Sequence, residues 1–402
     1  MVIHSVKDGD TVFTLARKYR VSPLKIIENN GLENPDALSV GEELLILSPT
    51  RTYTVRGGDT VERICRMFGI KKSRLQAANP ALLGTDRLYP GELLAIRYDA
   101  PPYGMAVVNG YVYESTTQEQ LCGALPYLTY ATLSVGVTDG QSVRFLFNDQ
   151  PYLKQIHDRG KIALMRVCEG DGMPLSPDDR EGWEQLCDRL CTAAKAHGYQ
   201  GITLAFYRTA KLSPHLYDDF VVRMRRRLLG CDLILFTETD ANEPLALGDY
   251  ADGNVLMYDK CTVKDPPSFE EGERAIAERY ASDYESSRMF MDISPFGYDE
   301  DTAMTLPMIR QLAHKTRCAI KKDDRTGLCS LQYPKFTGGV REERTVVFES
   351  LENIKAKLHL VDAFGYMGVS LDVGRTPVSV FLMVHTLFCD ADYSTLGIEE
   401  RV

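Results

Sequence analysis

The chain has 402 residues, 44% hydrophobic and 25% charged, which is ordinary globular composition and enough length for two to four domains. Its formal charge of −10 is uneven: residues 1–98 carry 14 Lys plus Arg against 11 Asp plus Glu, and the rest carries 32 against 45. The acidic large part lacks the clustered cationic face of a nucleic-acid binder, and no apolar run approaches the ~20 residues of a membrane span.

The opening Met1-Val2-Ile3-His4-Ser5 has no cationic or apolar leader region, which predicts synthesis in the cytosol. A repeat begins at once. Val6-Lys7-Asp8-Gly9-Asp10-Thr11-Val12 returns as Val55-Arg56-Gly57-Gly58-Asp59-Thr60-Val61, Asn30 returns as Asn79, and Gly41-Glu42-Glu43-Leu44 returns as Gly91-Glu92-Leu93-Leu94. A period near 50 residues means duplicated small modules, set here at 1–48 and 51–97. Each unit reads as strand, helix, helix, strand. Asp10 and Asp59 are expected to cap the first helix of each unit. Val12, Leu15, Ala16 and Tyr19 share one helical face, and Pro23 opens the second helix.

The Gly-Asp-Thr turn, the Asn closing the second helix and the Gly-x-x-Leu approach to the last strand resemble the LysM module, twice over. The resemblance implies binding of N-acetylglucosamine polymers, peptidoglycan or chitin, in a groove between two loops. Carried over, the groove comprises Gly9, Asp10, Thr11 and Val12 with Asp36, Ala37 and Leu38. In the second unit it comprises Gly58, Asp59, Thr60 and Val61 with Asp86, Arg87 and Leu88.

Thr50–Thr52 and Asp99–Pro102 read as linkers. Beyond them, in a domain set at 103–402, apolar runs alternate with amphipathic stretches. Strands are expected at Val107–Tyr113, Tyr130–Val135, Lys161–Val167, Gly201–Tyr207, Cys231–Phe236, Asn254–Tyr258, Met289–Ile293 and Gly365–Leu371. Helices are expected at Trp183–His197, Pro214–Leu229, Phe269–Ser282, Thr305–Lys315 and Val346–Val361. The pattern predicts an α/β chain ending in a (β/α)8 TIM barrel, with its chemistry at the C-terminal strand ends. Ten cysteines with no Cys-x-x-Cys pair predict structural thiols. Cys187 and Cys191 lack a completing His or second pair, and His157, His197, His215 and His314 lack ligand spacing. No metal and no cofactor are expected.

Asn109-Gly110-Tyr111-Val112-Tyr113, Leu256-Met257-Tyr258-Asp259 and Met291-Asp292-Ile293-Ser294-Pro295-Phe296-Gly297-Tyr298-Asp299 resemble, in order, barrel strands of family 18 glycoside hydrolases, especially the LysM-bearing spore-cortex N-acetylglucosaminidases. Gly198-Tyr199-Gln200-Gly201-Ile202-Thr203-Leu204-Ala205-Phe206-Tyr207 matches that family's catalytic strand in its glycines and apolar positions, not in its acids. Tyr207 stands at the general acid, Ala205 at the carboxylate that orients the acetamide, and Gln200 at the outer Asp. Leu371 or Asp372 replaces a stacking Trp; the lone Trp183 reads as packing. The implied cleft holds Tyr207, Tyr258, Asp259, Asp292 and Tyr298, without a catalytic residue. Three readings remain open: a wall-glycan-binding protein of a spore coat or cortex, with coat proteins as candidate partners; an N-acetylglucosaminidase using a displaced acid, with Asp259, Asp292, Glu169 and Glu238 as candidates; and a scaffold whose barrel face binds a protein partner while its LysM modules localise it to the wall.

Overall fold

The computed structural model describes residues 1–390 apart from 37, 84, 100, 172–174, 177–178, 242–249, 264, 301 and 338–339. The first repeat folds as β1 (Val2–Ser5), α1 (Val12–Tyr19), α2 (Pro23–Asn30) and β2 (Glu43–Ile46), with β1 and β2 antiparallel. The second follows as β3 (Arg51–Thr54), α3 (Val61–Phe68), α4 (Lys72–Ala77) and β4 (Leu93–Arg97). Arg51 and Thr52, expected in a linker, pair with β4 instead, because the β4 backbone needs a partner strand. Each repeat closes around its own apolar cluster, with Val12, Leu15 and Ile26 in one and Val61, Ile64 and Leu75 in the other. The repeated Asn is buried and pins the second helix to the closing strand. Asn30 bonds Ile26 O and both the N–H and C=O of Leu45; Asn79 does the same with Leu75 and Ala95.

The barrel runs β5 (Met105–Val112), α5 (Gln118–Ala124), β6 (Tyr130–Thr138), β7 (Val143–Phe145), α6 (Gln150–Asp158), β8 (Ile162–Glu169), α7 (Arg180–His197) and β9 (Gly201–Ala205). It continues with α8 (Tyr207–Leu212), α9 (Pro214–Leu229), β10 (Ile234–Asp240), β11 (Gly253–Met257), α10 (Ala275–Asp283) and β12 (Met289–Ile293). After an inserted unit come α12 (Leu351–Ala363), β18 (Gly368–Asp372) and α13 (Val378–Leu387). Among the described residues, eight strands, β5, β6, β8, β9, β10, β11, β12 and β18, pair in parallel and close through β18–β5. This is an α/β, TIM-type barrel, and its strands fall on the eight apolar runs of the sequence. The strand expected to reach Tyr207 stops at Ala205, and Tyr207 opens α8.

The inserted unit lies between β12 and β18. It comprises β13 (Phe296–Asp299), β14 (Thr302–Thr305), α11 (Leu306–Thr316), β15 (Ile320–Lys322), β16 (Leu328–Thr337) and β17 (Val340–Glu349). Its antiparallel sheet packs with α11 around Ile309, Leu331, Val346 and Phe348. Two helix expectations change here. Val346–Glu349 is strand, because Val346 and Phe348 alternate inward while β17 pairs with β13 and β16. The helix near Thr305–Lys315 covers this small sheet rather than the barrel.

The front modules share their packing with the large domain. Leu45, Leu47, Ala77, Ala78, Ala95 and Tyr98 join the apolar cluster that includes the barrel's outer face. Tyr127 Oη donates to Ala77 O at 2.9 Å. Ile320 N donates to Val40 O at 2.9 Å, and Leu351 N donates to the Glu43 carboxylate at 2.5 Å. Arg310 pairs with the buried Glu42. Lys25 ties the modules together, donating to Asn79 Oδ1 at 3.1 Å.

Candidate glycan-binding loops and barrel-mouth site

In each module a glycine at positive φ, Gly9 at 81° and Gly58 at 82°, turns the first strand toward its helix. The helix caps are Thr11 and Thr60, whose hydroxyls accept from Thr14 N and Arg63 N. Asp10 and Asp59 do not cap, contrary to the sequence expectation. They lie one residue too early and close the turn, accepting Lys7 N and Arg56 N at 2.8 Å each. Asp10 also meets His4 Nε2 at 2.9 Å, and Asp59 takes the Tyr53 hydroxyl at 2.7 Å. The backbone bond first, then the side-chain bond, holds each carboxyl below its usual range. Both acids are therefore occupied within the turn.

Val12 and Val61 are buried in the module cores, so their side chains are withdrawn from any ligand. Leu38 and Leu88 pack on those same cores, which brings the two loops of each module together. Gly9, Thr11, Asp36, Gly58, Thr60 and Arg87 are exposed. Asp86 is exposed but engaged, receiving Lys72 Nζ at 2.5 Å and Gln76 Nε2 at 3.2 Å. Ala37 lies outside the described residues.

At the C-terminal ends of the barrel strands is a cleft of about 500 Å³, lined by Tyr207, Tyr258, Asp259, Asp292 and Tyr298 together with Tyr111, Tyr113, Asp240, Asp372 and Arg375. Tyr207 Oη donates to Glu238 Oε2 at 2.5 Å. Arg166, from β8, grips both oxygens of that carboxylate at 2.7 and 2.8 Å and spends its remaining nitrogen on Ser134 and Cys168. Burial first, then the Glu238 carboxylate, pushes the Tyr207 phenol well above its ordinary range. Ala205 is buried. Gln200 stands at the other end of β9, where its Oε1 accepts Ala163 N at 2.8 Å and its Nε2 meets His157 at 3.0 Å.

The remaining carboxylates differ sharply in setting. Glu169 accepts Arg208 N and Thr209 N at 2.7 and 2.9 Å at the start of α8. Asp259 receives the Tyr298 hydroxyl at 2.7 Å and Cys261 N at 3.0 Å. Asp292 is buried, bonded to Ser294 Oγ at 2.6 Å, and burial raises it to about 7. Asp372 is raised by burial, against the pull of Arg375. Below Tyr258 lies a buried ionic layer in which Lys357 meets Glu349 at 2.6 Å and Lys260 meets Glu273 at 2.9 Å, with Asn353 bonded to both glutamates. Trp183 is buried on α7, its indole donating to Ser176 O at 2.9 Å.

Sequence reasoning missed Arg166. The signal was there: an arginine inside the apolar run Lys161–Val167 must reach a buried partner. Among the described residues, no three His, Cys, Asp or Glu side chains gather as metal ligands, and no helix is long and apolar enough to cross a membrane.

The LysM domain model matches residues 4–47 and 53–97. The chain is 24% identical over 274 residues to the sporulation-specific glycosylase candidate YdhD of Bacillus subtilis, covering 64% of each protein. It is 31% identical over 109 residues to the cell wall-binding protein YocH of the same species, covering 26% of this chain and 37% of that one. It thus spans less than two thirds of the length of these relatives. Among solved structures, the spore cortex-lytic enzyme SleL of Bacillus megaterium superposes with a TM-score of 0.72 at 21% identity, over 97% of this chain and 98% of that one. At that identity the likeness is one of fold. Residues 4–47 and 53–97 are LysM domains, set ahead of a (β/α)8 barrel with the fold of a spore cortex-lytic enzyme.

Proposed function

We propose that the protein binds N-acetylglucosamine polymers of the peptidoglycan or chitin type through its LysM domains, and that its barrel holds sugar without cleaving it. One observation carries the second half. Tyr207, which the sequence resemblance sets at the acid position of family 18 glycoside hydrolases, has its proton engaged by Glu238 and its phenol pushed still further from neutrality. In substrate-assisted glycoside hydrolysis the enzyme supplies an acid for the leaving oxygen and a carboxylate that aligns the acetamide. A phenol with an ordinary pKa of about 10 serves poorly as the first, and the Ala205 methyl cannot serve as the second. Loss of a general acid alone removes about 10²–10⁴ of rate. The wall-binding half is supported by the exposed loop faces of both modules. The words sporulation-specific for YdhD and spore cortex-lytic for SleL favour a spore cortex as the setting; a place in the coat, with coat proteins as neighbours, is the further part of this proposal.

Sedimentation with insoluble peptidoglycan and chitin, followed by a reducing-end assay on the same pellets, tests both halves. Retention with no release above buffer is expected. Retention on neither polymer ends the binding reading.

A second reading has one observation in its favour. Asp292 lines the cleft and is held near 7, where a carboxylic acid can donate a proton. If the unmodified protein cleaves glycan and Asp292→Asn abolishes that, the acid has moved rather than vanished.

A further inference from the structure

A second cavity, of about 660 Å³, opens at the opposite end of the barrel, between the second LysM domain and the segments leading into β5, β6 and β8. Its rim carries Arg51, Lys71, Arg74 and Arg97 from the module, and its floor Lys161 and His385 from the barrel. Among the described residues no Asp or Glu lines it, in a chain whose formal charge is −10. Asp99 lines an adjoining recess with Arg51 and Arg97.

The shape is fixed by packing. Tyr127 stacks on Phe381 at 5.2 Å and bonds across to Ala77, Lys161 Nζ donates to Leu128 O at 2.5 Å, and the Arg51 guanidinium lies over the Phe68 ring at 4.7 Å. Arg51, Lys71 and Arg97 place three positive charges around a concave, partly apolar space, and like charges so arranged focus a positive potential into it. That arrangement favours a ligand with several anionic oxygens. Chitin has none; a peptidoglycan strand carries carboxylates on its stem peptides, and on a lactyl group wherever no peptide is attached, and wall polymers attached to it add phosphodiesters.

We propose that this interdomain cleft is an anion subsite that takes the acidic groups of a wall glycan, so that the protein prefers peptidoglycan to neutral chitin. The inference rests on the wall-polymer reading above. Carboxylate and phosphodiester present the same chemistry to the cleft.

The test uses the full chain and its Lys71→Glu/Arg97→Glu double variant, both positions being exposed. Retention is measured at low salt on peptidoglycan with its phosphodiester polymers, on peptidoglycan stripped of them, and on chitin. Retention of the variant on peptidoglycan is expected to fall about tenfold or more while chitin is unaffected, since rim charges act on encounter and affinity at low salt. A drop on both peptidoglycans assigns the carboxylates; a drop confined to the unstripped form assigns the phosphodiesters. Unchanged retention on both, or an equal loss on chitin, overturns the proposal. If the wild-type chain is held by none of the three polymers, the wall-binding reading falls. A polyglutamate resin then decides the cleft alone: retention lost in the variant supports it, and retention absent or unaltered refutes it.

Discussion

Tyr207 Oη lies 2.5 Å from Glu238 Oε2, and the same carboxylate is held on both oxygens by Arg166. Glu238 is fully buried, so this ion pair persists only because each of its oxygens is satisfied. Arg166→Met should cost about 3–5 kcal/mol, the usual penalty for leaving one buried charge unpaired. Adding Glu238→Leu should restore much of that loss, because the stranded charge is then removed. Chemical denaturation of the two variants measures both values. A single variant that loses under about 1 kcal/mol would mean that the pair is solvated and that Tyr207 is not locked.

Asp292 makes stability depend on pH in an unusual direction. Its carboxyl sits at about 7 in the folded chain, raised by burial above an unfolded value near 3.9. The folded state therefore holds the extra proton, and the contribution is fully present below about pH 4 and lost as pH rises through about 7. Asp292→Asn should remove this component of the slope and make the protein more stable than wild type at pH 8, by about 2–4 kcal/mol. Parallel melting curves of the two proteins from pH 4 to 8 would contradict the burial argument.

The paired asparagines give a matched test of module architecture. Asn30→Ala and Asn79→Ala each leave an N–H and carbonyls of the second helix and closing strand without their side-chain partner. Each should cost about 2–3 kcal/mol. Asn79→Ala should cost more, because the buried Lys25 Nζ loses one of its two acceptors and keeps only Glu28. Equal losses would show that Lys25 contributes nothing to the contact between modules.

The barrel was legible because its strands are buried on both faces and read as continuous apolar runs, separated by helical periodicity. The inserted sheet was not. Thr345–Phe348 alternates inward and outward with little to mark it off from the helix that follows, and only pairing with β13 and β16 decides the matter. Of the candidate site, Tyr207, Tyr258, Asp259, Asp292 and Tyr298 do converge on one cleft. An arginine in the apolar run Lys161–Val167 signals a buried partner, but that the partner is Glu238 could not be read, since the two are 72 residues apart and meet only when the barrel closes. The turn acids Asp10 and Asp59 were misassigned by one position, because Asp and Thr are both good caps and composition alone does not choose between them. The docking of the front modules left no local signature either: Glu42 and Glu43 look like ordinary surface acids until Arg310 and Lys322 arrive from the insert.

That docking can be measured through two glycines that occupy the same place in the repeat. Gly41 has φ of 82° and Gly91 has φ of 91°, so alanine at either pays the left-handed penalty of about 1–2 kcal/mol. Their surroundings differ. A Cβ on Gly91 meets nothing within 4 Å, whereas one on Gly41 would fall 1.9 Å from Ile320 O. Backbone cannot step aside as a flexible side chain can, and the neighbouring bond from Ile320 N to Val40 O holds the two segments together at 2.9 Å. Gly41→Ala must therefore push the first module off the inserted sheet, straining the Glu42–Arg310 pair and the Leu351 N–Glu43 contact beside it. Its cost should exceed that of Gly91→Ala by about 1–3 kcal/mol, the range for forced overpacking. Amide exchange at Ile320 should accelerate in Gly41→Ala and stay slow in Gly91→Ala. Equal melting shifts with Ile320 still protected would show that the module rides loosely on the sheet.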